Sequence, residues 1–312
     1  YLGRDHEEAR EGMIPDGARH FEDMEGVVYL NCAAQGPLPL VSARAVEEAL
    51  RLKTQPYRVQ DGIYFDLPNR ARTAISGLIG SPPEQVILGG GASHGMSAAA
   101  LGLSLEPGDE IVVATSDFPS NLYIWSQAAE RTGARAVLVR PRRHAATTQE
   151  IVDAIGDRTR VVSVSWVDFG SGETMDIPRL AEVCRSRDIF LAVDGTQAVG
   201  IAPIDVSTLG ANLVTVGAYK WMLSPYGTGF AWLDPDWWDR IPPAYRESGL
   251  QAASGAIAEL NLRTIASGQP WISDFGHWMK DQSAGLRADV PRAVATYLRT
   301  HGPDNWAFDF GG

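Results

Sequence analysis

Cysteine is scarce in this 312-residue chain. Cys32 and Cys184 are the only two, too few for a disulfide framework or a cysteine-built zinc site. Lysine is nearly as rare: of 27 basic residues only Lys53, Lys220 and Lys280 are lysine. A lysine in apolar surroundings therefore asks for a chemical reason, because arginine keeps its proton near neutral pH and lysine need not. No apolar run reaches the roughly 18–20 residues of a membrane span. The opening residues, Tyr1 to His6, are polar rather than the apolar stretch of a signal peptide. Positive charge is also short. Thirty-eight acids against 27 bases leave a net −11, the wrong sign for nucleic acid or an anionic membrane as the main partner. With 45% apolar and 21% charged residues, composition is that of an ordinary globular domain. The expectation is a soluble, cytoplasmic protein of enzyme size, with no metal centre.

From about residue 80 to 235, short β-branched runs alternate with stretches of helical apolar spacing. The expected strands are Val86–Leu88, Ile111–Ala114, Ala136–Val139, Val161–Val164, Ile189–Val193, Leu213–Val216 and Phe230–Trp232. Runs that are apolar throughout imply burial on both faces, as in a parallel sheet. The expected fold class is therefore α/β, a mostly parallel open sheet covered by helices. Ser42–Thr54 and Asn69–Ile79 read as amphipathic helices, the first capped by Ser42. Beyond Asp234 the alternation stops at Trp237, Trp238, Pro242 and Pro243. A large domain over 21–240 and a small C-terminal part over 241–312 (joined by 1–20) are expected.

Ligands of open α/β sheets sit beyond the carboxyl ends of the strands, so the residues after each strand matter most. Gly89-Gly90-Gly91-Ala92-Ser93 opens a helix, and its free N–H groups suit a phosphate. It lacks both the Gly-Lys-Ser/Thr ending of a P-loop and the dinucleotide spacing, and a tight turn without ligand accounts for it equally. Phe118, in the loop after the second strand, is placed to stack on a flat ring or to pack on a neighbour. Asp194 follows an apolar strand, where a carboxylate needs a cationic partner or serves as a helix N-cap. Lys220 lies in Gly217-Ala218-Tyr219-Lys220-Trp221, nearly free of other charge. Its ordinary role would be that of a surface lysine with a buried stem; its chemical one, a desolvated amine that forms Schiff bases. Together these residues suit pyridoxal 5′-phosphate: the glycine turn for its phosphate, Phe118 for its ring, Asp194 for its pyridine nitrogen, Lys220 for its aldehyde.

Val193-Asp194-Gly195-Thr196-Gln197-Ala198-Val199-Gly200, Gly217-Ala218-Tyr219-Lys220-Trp221 and Pro225-Tyr226-Gly227-Thr228-Gly229-Phe230 resemble the class V aminotransferase family of fold-type-I pyridoxal-phosphate enzymes, over roughly residues 27 to 240. The resemblance implies that Lys220 is the Schiff-base lysine, Asp194 the partner of the ring nitrogen and Gln197 the contact to the phenolic oxygen. It also implies that Ala92, Ser93 and Tyr219 hold the phosphate and that Phe118 stacks on the ring. Trp166 and Asp168, in the segment Ser165 to Phe169, are implied on the substrate side, where Trp166 and Tyr123 would steer the substrate. Cys32 falls near the site's mouth, and Gly217 replaces a common phosphate-binding serine. No cysteine follows Lys220, so the persulfide-forming nucleophile of desulfurases is not expected. Gly268-Gln269-Pro270 is similar to a segment that reaches a neighbouring subunit's phosphate; the resemblance also implies a truncated or divergent C-terminal part, with Arg263, Arg287 and Arg292 as candidates for a substrate carboxylate. The implied function is an aminotransferase-like reaction at the Cα of an amino-acid substrate in a homodimer. A carbon–sulfur lyase, an epimerase, a kynureninase-like hydrolase and a non-catalytic homologue stand as alternatives.

Overall fold

The computed structural model describes residues 19–60, 62–238 and 240–241. Seven strands form one sheet: β1 Val86–Gly89, β2 Glu110–Ala114, β3 Arg135–Val139, β4 Thr159–Ser165, β5 Phe190–Asp194, β6 Leu213–Gly217 and β7 Gly229–Leu233. Their order across the sheet is β1-β7-β6-β5-β4-β2-β3. All neighbours run parallel except β7, which is antiparallel to both β1 and β6. Every strand expected from the sequence is present, within two residues at either end.

Side chains of a strand alternate between faces, and the two faces carry separate cores. On one side Val112, Val162, Val164, Leu191, Val193, Val214 and Val216 pack with Ile177, Leu180 and Cys184 of helix α6, Ile177–Arg185. On the other side Ile111, Val161, Phe190, Ala192 and Leu213 meet Met96, Ala99, Trp125 and Ala128. These come from α3, Ala92–Gly102, and α4, Pro119–Thr132. Each fully buried aliphatic side chain contributes about 1.5–3 kcal/mol, so burial of both sheet faces dominates the stability. The remaining helices are α1 Leu40–Thr54, α2 Ile63–Ile79, α5 Thr148–Asp153, α7 Val206–Leu209 and α8 Pro235–Trp238. Among the described residues no helix is long and apolar enough to cross a membrane.

Two helix boundaries differ from expectation. Helix α1 starts at Leu40 with Pro39 at its cap position, so Ser42 lies inside the first turn and does not cap it. Proline fixes the φ that the chain needs on entering a helix. Helix α2 begins six residues before Asn69 and runs through Pro68, which gives up one intrahelical hydrogen bond. The small C-terminal part expected over 241–312 lies, apart from Ile241, outside the described residues. So do Gly268-Gln269-Pro270, Arg263, Arg287 and Arg292.

Helix α3 lies against the sheet at Gly95, where a Cβ would come within 2.6 Å of Thr215 Cγ2 and 2.7 Å of Ala231 Cβ. Glycine to alanine ordinarily favours a helix by up to about 1 kcal/mol. Here Gly95→Ala should instead destabilise the protein by about 1–3 kcal/mol, the usual cost of overpacking. The change is read as a lowered urea midpoint at unaltered slope.

Candidate active site

Five chain segments meet beyond the carboxyl ends of the parallel strands and enclose a cavity of about 150 Å³. Ala92, Ser93, Phe118, Asp194, Gln197, Tyr219 and Lys220 all line it. A larger cavity of about 560 Å³ lies at the strands' other ends, and its lining has no lysine, histidine or cysteine.

Lys220 is 7% exposed. Among the described residues its amine has no carboxylate within ion-pairing distance; it faces the rings of Phe118 at 5.4 Å and Tyr219 at 5.8 Å. Burial lowers its pKa, and the charge of Asp194 opposes that shift. The backbone holds the lysine firmly. Leu223 N–H donates to the Lys220 carbonyl at 3.1 Å, Ser224 N–H to Ala218 at 3.0 Å, and Ala218 N–H to Thr228 at 3.1 Å.

Asp194 ends β5 and is 6% exposed. Its carboxylate accepts the Thr196 N–H at 2.9 Å, and Thr196 Oγ1 accepts the Gly217 N–H at 2.9 Å. No helix follows, so Asp194 is not an N-cap: residues 195–200 form turns and a bridge. Burial raises the Asp194 pKa, opposed by the Thr196 hydrogen bonds and by Lys220. Lys220 and Asp194 thus share one cavity without making a contact pair.

The glycine turn enters α3 through Gly91, whose φ of 150° favours glycine. Ala92 and Ser93 are the first residues of an 11-residue helix, where N–H groups lack intrahelical partners. Phe118 stands edge-on to Phe169, with centroids 5.4 Å apart at 85°. Gln197 is clamped at both ends of its amide: Nε2 donates to the Ala33 carbonyl at 3.0 Å, and Trp221 Nε1 donates to Oε1 at 2.7 Å. Tyr219 packs against Tyr226, centroids 5.3 Å apart, and burial raises its phenol pKa, with Asp194 adding to the rise.

Trp166 and Asp168, expected on the substrate side, do not line the cavity. Alternation past the end of β4 puts Ser165, Val167 and Phe169 there instead. Trp166 packs against the core on the α6 side. The Asp168 carboxylate is occupied by its own loop, accepting from Gly170 N–H at 3.0 Å and Ser171 N–H at 2.7 Å. Tyr123 is 64% exposed on α4. Cys184 is buried, which pushes its thiol up to about 12, so it is an inert core residue. Cys32 sits in the segment that meets the site through Ala33 and through Gly36, whose N–H donates to Tyr219 at 2.9 Å. A Cβ on Gly36 would fall 1.9 Å from the Lys220 carbonyl oxygen, so only glycine permits this approach.

Sequence reasoning missed a buried polar cluster beneath Phe118. Asp117 accepts from Phe118 N–H at 2.8 Å, Asn121 Nδ2 at 2.8 Å, Ser165 N–H at 3.0 Å and Ser165 Oγ. Ser163 Oγ donates to Asn121 Oδ1. The cluster ties the loop carrying Phe118 to the end of β4. Burial pushes the Asp117 carboxyl up to about 6, against the Ser165 hydrogen bond and with the charge of Asp194. No local spacing marks it, because Ser163 and Ser165 come from a strand more than 40 residues away and loop polar residues are usually solvated.

A mostly parallel sheet with a buried lysine and a buried aspartate at the ends of adjacent strands defines a fold-type-I pyridoxal-phosphate scaffold. The family model for class-V aminotransferases matches residues 29–264, and the chain belongs to that family. It is 29% identical over 247 residues to isopenicillin N epimerase of Streptomyces clavuligerus, covering 77% of this chain and 59% of that protein. It is 26% identical over 224 residues to a probable cysteine desulfurase of Methanothermobacter thermautotrophicus, covering 69% and 55%. Among solved structures, a C-DES mutant with glycine covalently linked to the PLP cofactor superposes with a TM-score of 0.68 at 22% identity, covering 74% of this chain and 62% of that one. Cysteine desulfurase CsdA from Escherichia coli gives 0.64 at 21% identity, covering 72% and 58%. The chain thus spans less than two thirds of the length of these relatives.

Pyridoxal 5′-phosphate is the cofactor of the family, and the residues present fit it: a buried unpaired amine, a separated buried carboxylate, and a helix-opening glycine turn around one cavity.

Removing the Asp117 carboxylate would orphan several buried donors. Asp117→Ala should lower stability by about 2–4 kcal/mol, given about 1–3 kcal/mol for each stranded group and partial relaxation. Equilibrium denaturation followed by tryptophan fluorescence measures this.

Proposed function

We propose that this chain is a pyridoxal-phosphate enzyme acting at the Cα of an amino-acid substrate, of aminotransferase type. The single observation that supports this most is the pair of buried, oppositely charged groups, Lys220 and Asp194, facing one cavity without touching. The bound cofactor supplies an electron-withdrawing ring conjugated to the substrate's amino nitrogen. Lys220 would hold the cofactor through its amine and would serve as the base that carries the proton at the substrate's Cα; its lowered pKa suits both tasks. Asp194 keeps the ring nitrogen protonated, since an adjacent anion favours the cation. Ala92, Ser93 and Tyr219 would hold the phosphate, Phe118 would pack on the ring, and Gln197 would donate to the phenolic oxygen. Ser165, Val167 and Phe169 replace Trp166 and Asp168 as the residues on the substrate side.

The relative named as a probable cysteine desulfurase supports a second reading, carbon–sulfur bond cleavage on the same lysine. The assembly proposed is a homodimer. Helix α1 buries none of its residues and leaves Val46 and Leu50, one turn apart on the same face, exposed, as a helix covered by a second subunit would. A cytoplasmic location suits the sparse cysteines.

The test is chemical. Protein loaded with cofactor should absorb in the visible-violet range, lose that band on borohydride treatment, and carry the reduced adduct on Lys220 by peptide mass mapping. An adduct elsewhere, or none, contradicts the proposal. An amino-acid panel then separates the readings: keto-acid-dependent amino transfer supports the first, and pyruvate with sulfide from cysteine supports the second.

A further inference from the structure

Gln197 is the one polar side chain of the pocket whose chemistry depends on which way round its amide lies. The amide oxygen accepts and the nitrogen donates, and the two orientations occupy nearly the same space. Its two neighbours leave no ambiguity. The indole of Trp221 can only donate, and it lies 2.7 Å from Oε1. The carbonyl of Ala33 can only accept, and it lies 3.0 Å from Nε2. Reversing the amide would set donor against donor and acceptor against acceptor. Gln197 is 8% exposed, so water could not easily repair either clash. In the orientation observed, Nε2 spends one hydrogen on Ala33 and keeps a second to offer elsewhere.

We propose that Trp221 is a positioning residue: its indole N–H selects the Gln197 orientation that presents a donor, rather than an acceptor, to the phenolic oxygen of the bound cofactor. This rests on the reading of the pocket given under Proposed function. Trp221 adjoins the lysine in sequence, so the peptide that places the amine also sets the hydrogen bond at the cofactor's ring oxygen. The Ala33 carbonyl comes from a segment 164 residues away from Gln197. Seating of that N-terminal segment therefore helps to hold the same orientation.

A donor at the phenolic oxygen stabilises its anionic form. Its loss should raise the pH midpoint of the bound cofactor's visible spectral transition. The test uses the full chain loaded with pyridoxal 5′-phosphate, comparing wild type, Trp221→Phe, Gln197→Ala and the double variant. Trp221→Phe should raise the midpoint by about one pH unit, the size expected of a hydrogen bond to a charged oxygen. In the Gln197→Ala background the same substitution should add nothing, because a residue acting through Gln197 has no effect without it. A Trp221→Phe shift of equal size in both backgrounds, or no shift in either, overturns the proposal. So that the result does not depend on a tryptophan variant folding, the Trp221 indole N–H is also followed by NMR. Gln197→Ala should move that resonance and speed its solvent exchange, and an unchanged signal counts against the proposal. The two levels separate cleanly. A wild type with the borohydride-sensitive band but no Trp221 effect defeats this inference alone, whereas a wild type lacking the band defeats the parent reading and this one with it.

Discussion

Two buried charges held apart by folded backbone are the constraint on which the site depends. An aspartate and a lysine brought to the ends of adjacent strands would ordinarily close into an ion pair, or neutralise each other by proton transfer. Here β5 and β6 pair with Asp194 opposite Thr215, and the chain then turns before delivering Lys220. Thr196 fastens the two strand ends by bonding to both Asp194 and Gly217. The amine is left facing aromatic rings instead of the carboxylate. Both groups are pushed towards their neutral forms by burial, each restrained by the other. Such an arrangement is costly without a ligand and favourable with one that bridges its poles.

The sheet supplies the rigidity this needs. Its central strands are buried on both faces, and the residues lining the cavity sit within a few positions of their carboxyl ends. Neighbouring loops are then locked to the frame by polar bonds. Asp117 ties the Phe118 loop to β4, and Gly36 and Ala33 bring the N-terminal segment against the lysine turn.

Much of this is legible in the sequence because it is local. A continuous apolar run such as Phe190–Val193, short and closed by Asp194, suits a strand buried on both faces and little else, and the rarity of lysine singles out Lys220. The antiparallel course of β7 is not legible, since a strand's direction depends on its connection and not on its side chains. The positions of Trp166 and Asp168 escape the sequence for a related reason. A one-residue shift past a strand end reverses which side chains face the pocket, and composition does not reveal that phase. The clamp on Gln197 and the cluster around Asp117 join residues far apart in the chain, and no spacing rule reports such contacts. Helix α2 starts before Asn69, where the amphipathic pattern begins, and takes Pro68 into its second turn.

The central claim is that one molecule bridges Lys220 and Asp194. Cofactor labelled with 15N at the ring nitrogen, loaded into the full chain and observed by NMR near neutral pH, tests it most directly. The nitrogen should be protonated in the wild type and deprotonated in Asp194→Ala, with the link to Lys220 intact in both. A deprotonated nitrogen in the wild type, or the same protonation state in both proteins, would contradict the claim.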